Sequence, residues 1–294
     1  MKKLWIPFLG LVVVCCTEET RLQSVTGYRE RLAVEAVLTD QADRPQRVVL
    51  TRTVPYFSDA DIPAVSGARV TVSVDEDTVP FQEVEAGVYV APAGFYGEEG
   101  KSYHLCIEVP EEAVYEADAV MPERGFRLDA VDYAYAGDKS MGLDSLWTLG
   151  IWGKDLEITS YYYVTKAVNG LYFPFEMSDV IDDLYFNGRE VAGFPIGALL
   201  QTEEFRKHYG DCCKYLETGD VVTFEAWTLD KGYYDFLMSL MLNGAMGAIP
   251  LFSPQPSNAP TNIRGGDAVG YFAACPVSAA SITVDDPLRP TYRQ

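Results

Sequence analysis

The sequence predicts a mainly β protein: an amino-terminal immunoglobulin-like β-sandwich over 31–124, then a second β-rich domain over 125–288 with one helix at about 230–243. Three observations carry this. Short stretches alternating apolar and polar residues recur from Leu32 at intervals of about 10 to 15 residues, with no helical pattern between them. After the Pro-Glu-Arg-Gly stretch at 122–125 the strands become aromatic and β-branched. One segment alone, KGYYDFLMSLML, spaces its apolar residues as a helix does.

LAVEAVLTD, RVVLTRTV and ARVTVSVDEDT alternate cleanly and read as the first strands. EAGVYVAP, GEEGKSYHLCIEVP and YEADAVMPE follow, each bounded by Gly, Pro or acidic residues that supply turns. In the second half, SLWTLGIW at 145–152 and ITSYYYVTKAV at 158–168 are strands. Tyr161, Tyr162 and Tyr163 must alternate faces there, which exposes a ring unless both faces are covered. Asn187-Gly188 marks a hairpin turn, and 198–209 reads as a short helix or a decorated loop. GDVVTFEAWTLD at 219–230 places Val222, Phe224 and Ala226 on one face and Val221, Thr223, Glu225 and Trp227 on the other. Asp230 is the expected helix cap; Tyr233, Phe236, Leu237, Leu240 and Met241 are the expected buried stripe against the second sheet, with Asn243-Gly244 ending the helix. A Pro-rich stretch and two closing strands finish the fold, leaving 289–294 as a polar tail.

The first residues give an address. Lys2 and Lys3 precede an uninterrupted apolar run from Leu4 to Val14, the layout of an export signal. The run is too short to span a bilayer. Small Cys15 precedes Cys16, so residues 1–15 are expected to be cleaved and Cys16 to be lipidated. Residues 16–30 then form a polar tether, and several acyl chains together make a durable anchor. The acidic TEET stretch directly after Cys16 resembles a signal that sends lipoproteins of Bacteroidota to the cell surface.

Composition narrows the partners. A chain of 294 residues, 48% hydrophobic, can bury a sizeable core. Its net charge of -20 repels phosphates, so nucleic acid is not an expected partner, and attachment to a membrane rests on the lipid rather than on the protein surface. Cys106, Cys212, Cys213 and Cys275 remain after processing. Their disulfide pairing stays open, and buried small hydrophobes are the plain expectation. Adjacent Cys212-Cys213 with His208 lacks the spacing of a zinc site, and no metal or cofactor is expected.

Taken together, LAVEAVLTD, RVVLTRTVPYFSD, VSGARVTV, GVYVAP and GKSYHLCIEV, then GDVVTFEAWTLDKGYYDFL and PSNAPTNIRGGDAVGYFAACPVSAASITV, resemble the Bacteroidota lipoprotein family called domain of unknown function 4249. That resemblance covers nearly the whole mature chain, with 125–215 least distinctive and the Cys212-Cys213 pair and Cys275 as departures. It implies an envelope lipoprotein, often encoded beside TonB-dependent outer-membrane receptors, and brings no catalytic residue with it.

Asn262, Ile263, Gly265 and Gly266, with Gly270, Tyr271 and Phe272 just after them, form the one loop singled out as a binding or structural element. Paired glycines and an Asn that bonds its own backbone favour a tight turn into the last strands. Catalytic constellations are sparse. Neither His104 nor His208 accompanies a Gly-x-Ser-x-Gly elbow, and the acidic pairs Asp59/Asp61, Asp75/Asp77, Asp182/Asp183 and Asp285/Asp286 fall in turns without a calcium ladder. The expected role is a non-enzymatic outer-membrane or cell-surface lipoprotein assisting TonB-dependent nutrient uptake, its ligand open. The alternatives are a lipid-anchored hydrolase, which needs a cleft with paired carboxylates, and an adhesion or scaffold module.

Overall fold

A computed structural model describes residues 28–55, 60–137, 146–173, 179–184, 186–199, 216–247 and 259–292. Residues 31–294 form one compact unit. Cys16, the tether up to residue 27, His208, Cys212, Cys213, Asp59 and residues 200–209 of the predicted element at 198–209 lie outside the described residues.

The predicted strands of the first half are present: β1 (Leu32–Thr39), β2 (Arg47–Arg52), β3 (Arg69–Val74), β4 (Asp77–Glu85), β5 (Val88–Val90), β6 (Ser102–Glu108) and β7 (Val114–Val120). Alternation does what it should. Leu32, Val34, Ala36 and Leu38 of β1 are buried, as are Tyr115, Ala117 and Ala119 of β7. The immunoglobulin-like sandwich is corrected, however. These strands make one eight-stranded sheet in the order β15-β1-β2-β5-β4-β3-β6-β7, whose eighth member is β15 (Val269–Cys275), parallel to β1. The bridge between Glu116 of β7 and Arg264, just ahead of β15, brings the two ends of that sheet together as a partly closed barrel.

In the second half, β10 (Tyr161–Val168), β11 (Leu171–Tyr172), β12 (Val180–Asp182), β14 (Val221–Leu229) and β16 (Val277–Thr283) form a five-stranded sheet. A separate three-stranded sheet joins β13 (Glu190–Leu199), β9 (Leu146–Asp155) and β8 (Phe126–Gly137). Gly188 turns the chain with φ +72°, yet Asn187-Gly188 does not make the predicted hairpin, because β12 pairs with β10 and β13 with β9.

The expected partition at 124 is not a partition of the cores. Ile263, Ala268, Phe272 and Ala274 belong to the apolar core of the first sheet although they come from the end of the chain. The other face of β15, Tyr271, Ala273 and Cys275, packs with Leu237 and Met241 of the helix α1 (Lys231–Gly247). Apolar runs with no alternation, such as VGYFAAC, fit a strand covered on both faces. Only Pro276 separates β15 in one sheet from β16 in the other, a position where a missing N–H costs no ladder bond.

Asp230 caps α1 as predicted, its Oδ1 accepting from the backbone N–H groups of Gly232 and Tyr233 at 2.7 and 3.0 Å. The helix continues past Asn243-Gly244 to Gly247, and Leu240 is 45% exposed rather than part of the buried stripe. It packs on β10, β12 and also β15, so it covers both sheets. The tyrosine triplet is covered on both faces: Tyr162 enters the second core, Tyr161 meets Tyr234 of α1 at 4.5 Å between ring centroids, and Tyr163 meets Trp227 at 6.1 Å. The predicted polar tail is seated as well. Arg289 lies over the Tyr133 ring and pairs with Asp132, and Tyr292 packs edge-on against Trp152.

Candidate functional site

The loop singled out from the sequence closes the first barrel. Asn262 imitates a strand: its Nδ2 donates to Phe272 O at 2.7 Å and Asp118 O at 3.1 Å, while its Oδ1 accepts from Phe272 N at 3.0 Å. Thr261 Oγ1 donates to Gly270 O at 2.7 Å. Arg264 exchanges both backbone hydrogen bonds with Glu116 and sets its guanidinium 2.6 Å from Asp118 Oδ2. Gly265 and Gly270 adopt φ of +83° and +101°, and a Cβ on either would collide with a backbone carbonyl, Val114 O or Val34 O. Ile263 and Phe272 point into the first core and Tyr271 into the helix layer, where burial pushes its phenol up to about 12. These seven residues thus share a neighbourhood but no common ligand-facing surface, and their geometry is that of a structural turn.

Beside this loop, His104 Nδ1 lies 2.7 Å from Asp118 Oδ1 on the outer face of β6 and β7. His104 and Arg264 together hold the Asp118 carboxyl below the usual aspartate range.

The buried acids of the second half were not legible as such. Glu225, counted on the polar side of β14, is buried and accepts from Tyr172 OH (2.8 Å), Trp227 Nε1 (3.0 Å), Thr165 Oγ1 (3.2 Å) and the Arg44 guanidinium, which reaches over from the β1–β2 turn. Arg44 also stacks on Trp227, 4.9 Å from the ring centroid. Lys166 and Asp179 form a second buried pair at 3.1 Å. Asp183, expected in a solvated turn, is instead 4% exposed and accepts from Ser160 N at 2.7 Å. Asp155 is fully buried, which raises its carboxyl; its two oxygens accept from Tyr162 OH at 2.5 Å and Gly188 N at 2.9 Å. Such carboxylates are held by fixed donors inside the protein and are closed to solvent. Cys106 and Cys275 are free thiols. Among the described residues no group of three or more His, Cys, Asp and Glu is arranged to hold a metal ion.

A cleft of about 310 Å³ opens where the two halves meet, lined by Glu99, Gly100, Glu123, Arg124, Arg127 and Leu156. Its floor is Arg124, read in the sequence only as punctuation. The Arg124 backbone N–H and guanidinium bind Glu99 at 2.9 and 3.2 Å, and the guanidinium also binds Asp40 and Val277 O. Asp40 in turn accepts from Val277 N at 2.9 Å, so one arginine and one aspartate tie the end of β1 to the start of β16. Arg127, by contrast, projects from β8 into solvent, with no acid within ion-pair distance among the described residues. Its position was readable from the Phe126-Arg127-Leu128 alternation, but its neighbours were not, because the register of β8 depends on bulges.

The family described as domain of unknown function DUF4249 matches residues 18–281. The chain belongs to this family. The DUF4249 match runs unbroken across the junction at 122–125 and includes both β15 and most of β16, in keeping with a single unit whose first sheet is completed from the far end of the chain. No curated protein matches the chain.

Proposed function

We propose that this DUF4249 protein is a lipid-anchored outer-membrane or cell-surface protein that acts without catalysis, as an accessory or binding component of TonB-dependent nutrient uptake. The observation that carries the reading is the pairing of family membership with an export signal running directly into Cys16. The way the acids are used supports the non-enzymatic part. Glu225, Asp183 and Asp155 are each consumed by hydrogen bonds that hold the sheets together, and the cleft-lining Glu99 is engaged by Arg124. Among the described residues no helix is long and apolar enough to cross a membrane, so attachment falls to the lipid in this reading.

One observation favours a hydrolase, the raised carboxyl of Asp155 in the neighbourhood of Asp183. A general acid must reach its substrate, and Asp155 has no exposed surface. Mild-detergent isolation from native membranes tests the proposal: a TonB-dependent receptor should accompany the protein, and its absence under conditions that preserve such complexes would refute the uptake role. Changing Cys16→Ala should abolish fatty-acid labelling and release the protein from membranes. Retained labelling would refute the lipid assignment.

A further inference from the structure

Residues 285–292 lie against β8 and β9 as an irregular segment, and the contacts that hold them are those of a bound peptide. Two reach its main chain: Trp147 Nε1 donates to Pro287 O and the Tyr135 N–H donates to Arg289 O, each at 2.7 Å. Two side chains then fill separate seats. The Arg289 guanidinium lies 4.3 Å from the centre of the Tyr133 ring, pairs with Asp132 and with Asp285, and donates to Tyr133 O at 3.1 Å. Tyr292 packs edge-on against Trp152 at 5.9 Å and donates from its hydroxyl to Thr148 Oγ1 at 3.0 Å. None of residues 285–292 belongs to an apolar core, and Leu288, Pro290 and Thr291 are exposed.

Covering the outer strand of a sheet is the plain use of such a segment. Two observations go beyond it. Gly150, paired with Asp132 in the middle of β9, has a backbone that does not call for glycine, yet a Cβ there would come within 2.7 Å of the Tyr292 ring. The sheet is thus cut away where an aromatic ring sits, as strands are where another group must approach closely. Arg289 Nε, moreover, is buried with no hydrogen-bond partner among the described residues, so the chain's own arginine satisfies its seat incompletely. We propose that this face of β8 and β9 is a peptide-docking site that the chain's carboxy-terminal segment occupies, and that a partner polypeptide displaces it by offering an arginine with a tyrosine three residues on. The occupant defines the partner's chemistry, because Asp132 and Tyr133 take the guanidinium while Gly150, Trp152 and Thr148 take the phenol. A segment joined to its own site competes at an effective concentration of about millimolar, so the site stays closed until a tighter or closely presented partner arrives. The inference goes beyond the uptake role and does not depend on it, since a peptide can be bound without any receptor.

Fluorescence anisotropy of a labelled peptide, DDPLRPTYRQ, the sequence of residues 285–294, against the full chain in detergent tests it. Tyr292→Ala weakens the competing segment by one ring contact, so that chain should bind the peptide about tenfold more tightly than the parent. Adding Gly150→Ala fills the seat and should remove the gain. A peptide whose tyrosine is replaced by alanine should bind to neither chain. In the parent, saturating peptide should speed hydrogen exchange of residues 288–292, because the displaced segment is set free. Equal affinity in parent and Tyr292→Ala, binding indifferent to Gly150→Ala or to the peptide's tyrosine, or exchange unchanged by the peptide would overturn the proposal. Failure of Tyr292→Ala to fold would overturn it too, since the segment would then be a permanent part of the sheet.

Discussion

Replacing Asn262 separates a turn from a binding loop, because the two substitutions Asn262→Ala and Asn262→Asp should rank in an order that only the turn explains. The wild-type amide makes three hydrogen bonds, two donated to the carbonyls of Phe272 and Asp118 and one accepted from Phe272 N. At about 1 kcal/mol net each, truncation to Ala should cost about 2–4 kcal/mol, allowing for the partly buried backbone groups it strands. For a unit of this size that lowers the melting temperature by about 5–10 °C. Aspartate is nearly isosteric, and a size argument would make it the gentler change. It replaces the donating Nδ2 with a carboxylate oxygen aimed at two carbonyl oxygens, so it should destabilise more than Ala. Thermal unfolding followed by circular dichroism near neutral pH reads both. A melting temperature unchanged in Asn262→Ala, or Asp milder than Ala, would refute the argument that this side chain closes the barrel.

Other perturbations follow from the same geometry. Glu225→Ala strands the Arg44 guanidinium and the donors of Trp227, Tyr172 and Thr165 and should cost about 3–5 kcal/mol, seen as a lower denaturant midpoint. Gly270→Ala places a methyl against Val34 O at a φ of +101°, so it should impair folding more than Gly94→Ala, where the added methyl meets open space; soluble yield and melting compare them. Two groups drive pH dependence in opposite directions. The Asp118 carboxyl is lowered, so the stability it lends is complete above the unfolded value near 4 and is lost as pH falls through its folded value. Asp118→Asn should therefore flatten the acid limb of a stability-versus-pH curve, by a small margin because the group is exposed. Asp155 is raised, so its contribution is complete below the unfolded value and is lost as pH rises through its folded value. A curve for Asp155→Asn no flatter than wild type across weakly acidic pH would count against that burial.

Strands were legible wherever period-two alternation met a one-sided core, as in β1 and β7, and the cap at Asp230 followed from local chemistry alone. What stayed hidden was long-range. Nothing local tells a strand that its partner lies 236 residues away, as Ala33 and Val269 do, so one barrel borrowing its last strand read as two successive domains. Glu225 on an alternating strand reads as solvent-facing, because the groups that cover it, the Arg44 guanidinium from the β1–β2 turn and Tyr172 of β11, come from elsewhere in the chain. The Asn262 loop was found from its residue types, and its turn function followed from the same residues.

The short passage through Pro276 has a bearing on how the chain matures. Residues 262–275 supply the closing strand and plug of the first barrel, so its core stays incomplete until almost the whole polypeptide is available. Closing so long a loop is slow compared with forming neighbouring hairpins. Under the export proposed for this chain, that delay keeps the leading half from locking into a finished barrel while the trailing residues are still being made. Folding then completes both sheets almost together, once the carboxy-terminal strands arrive.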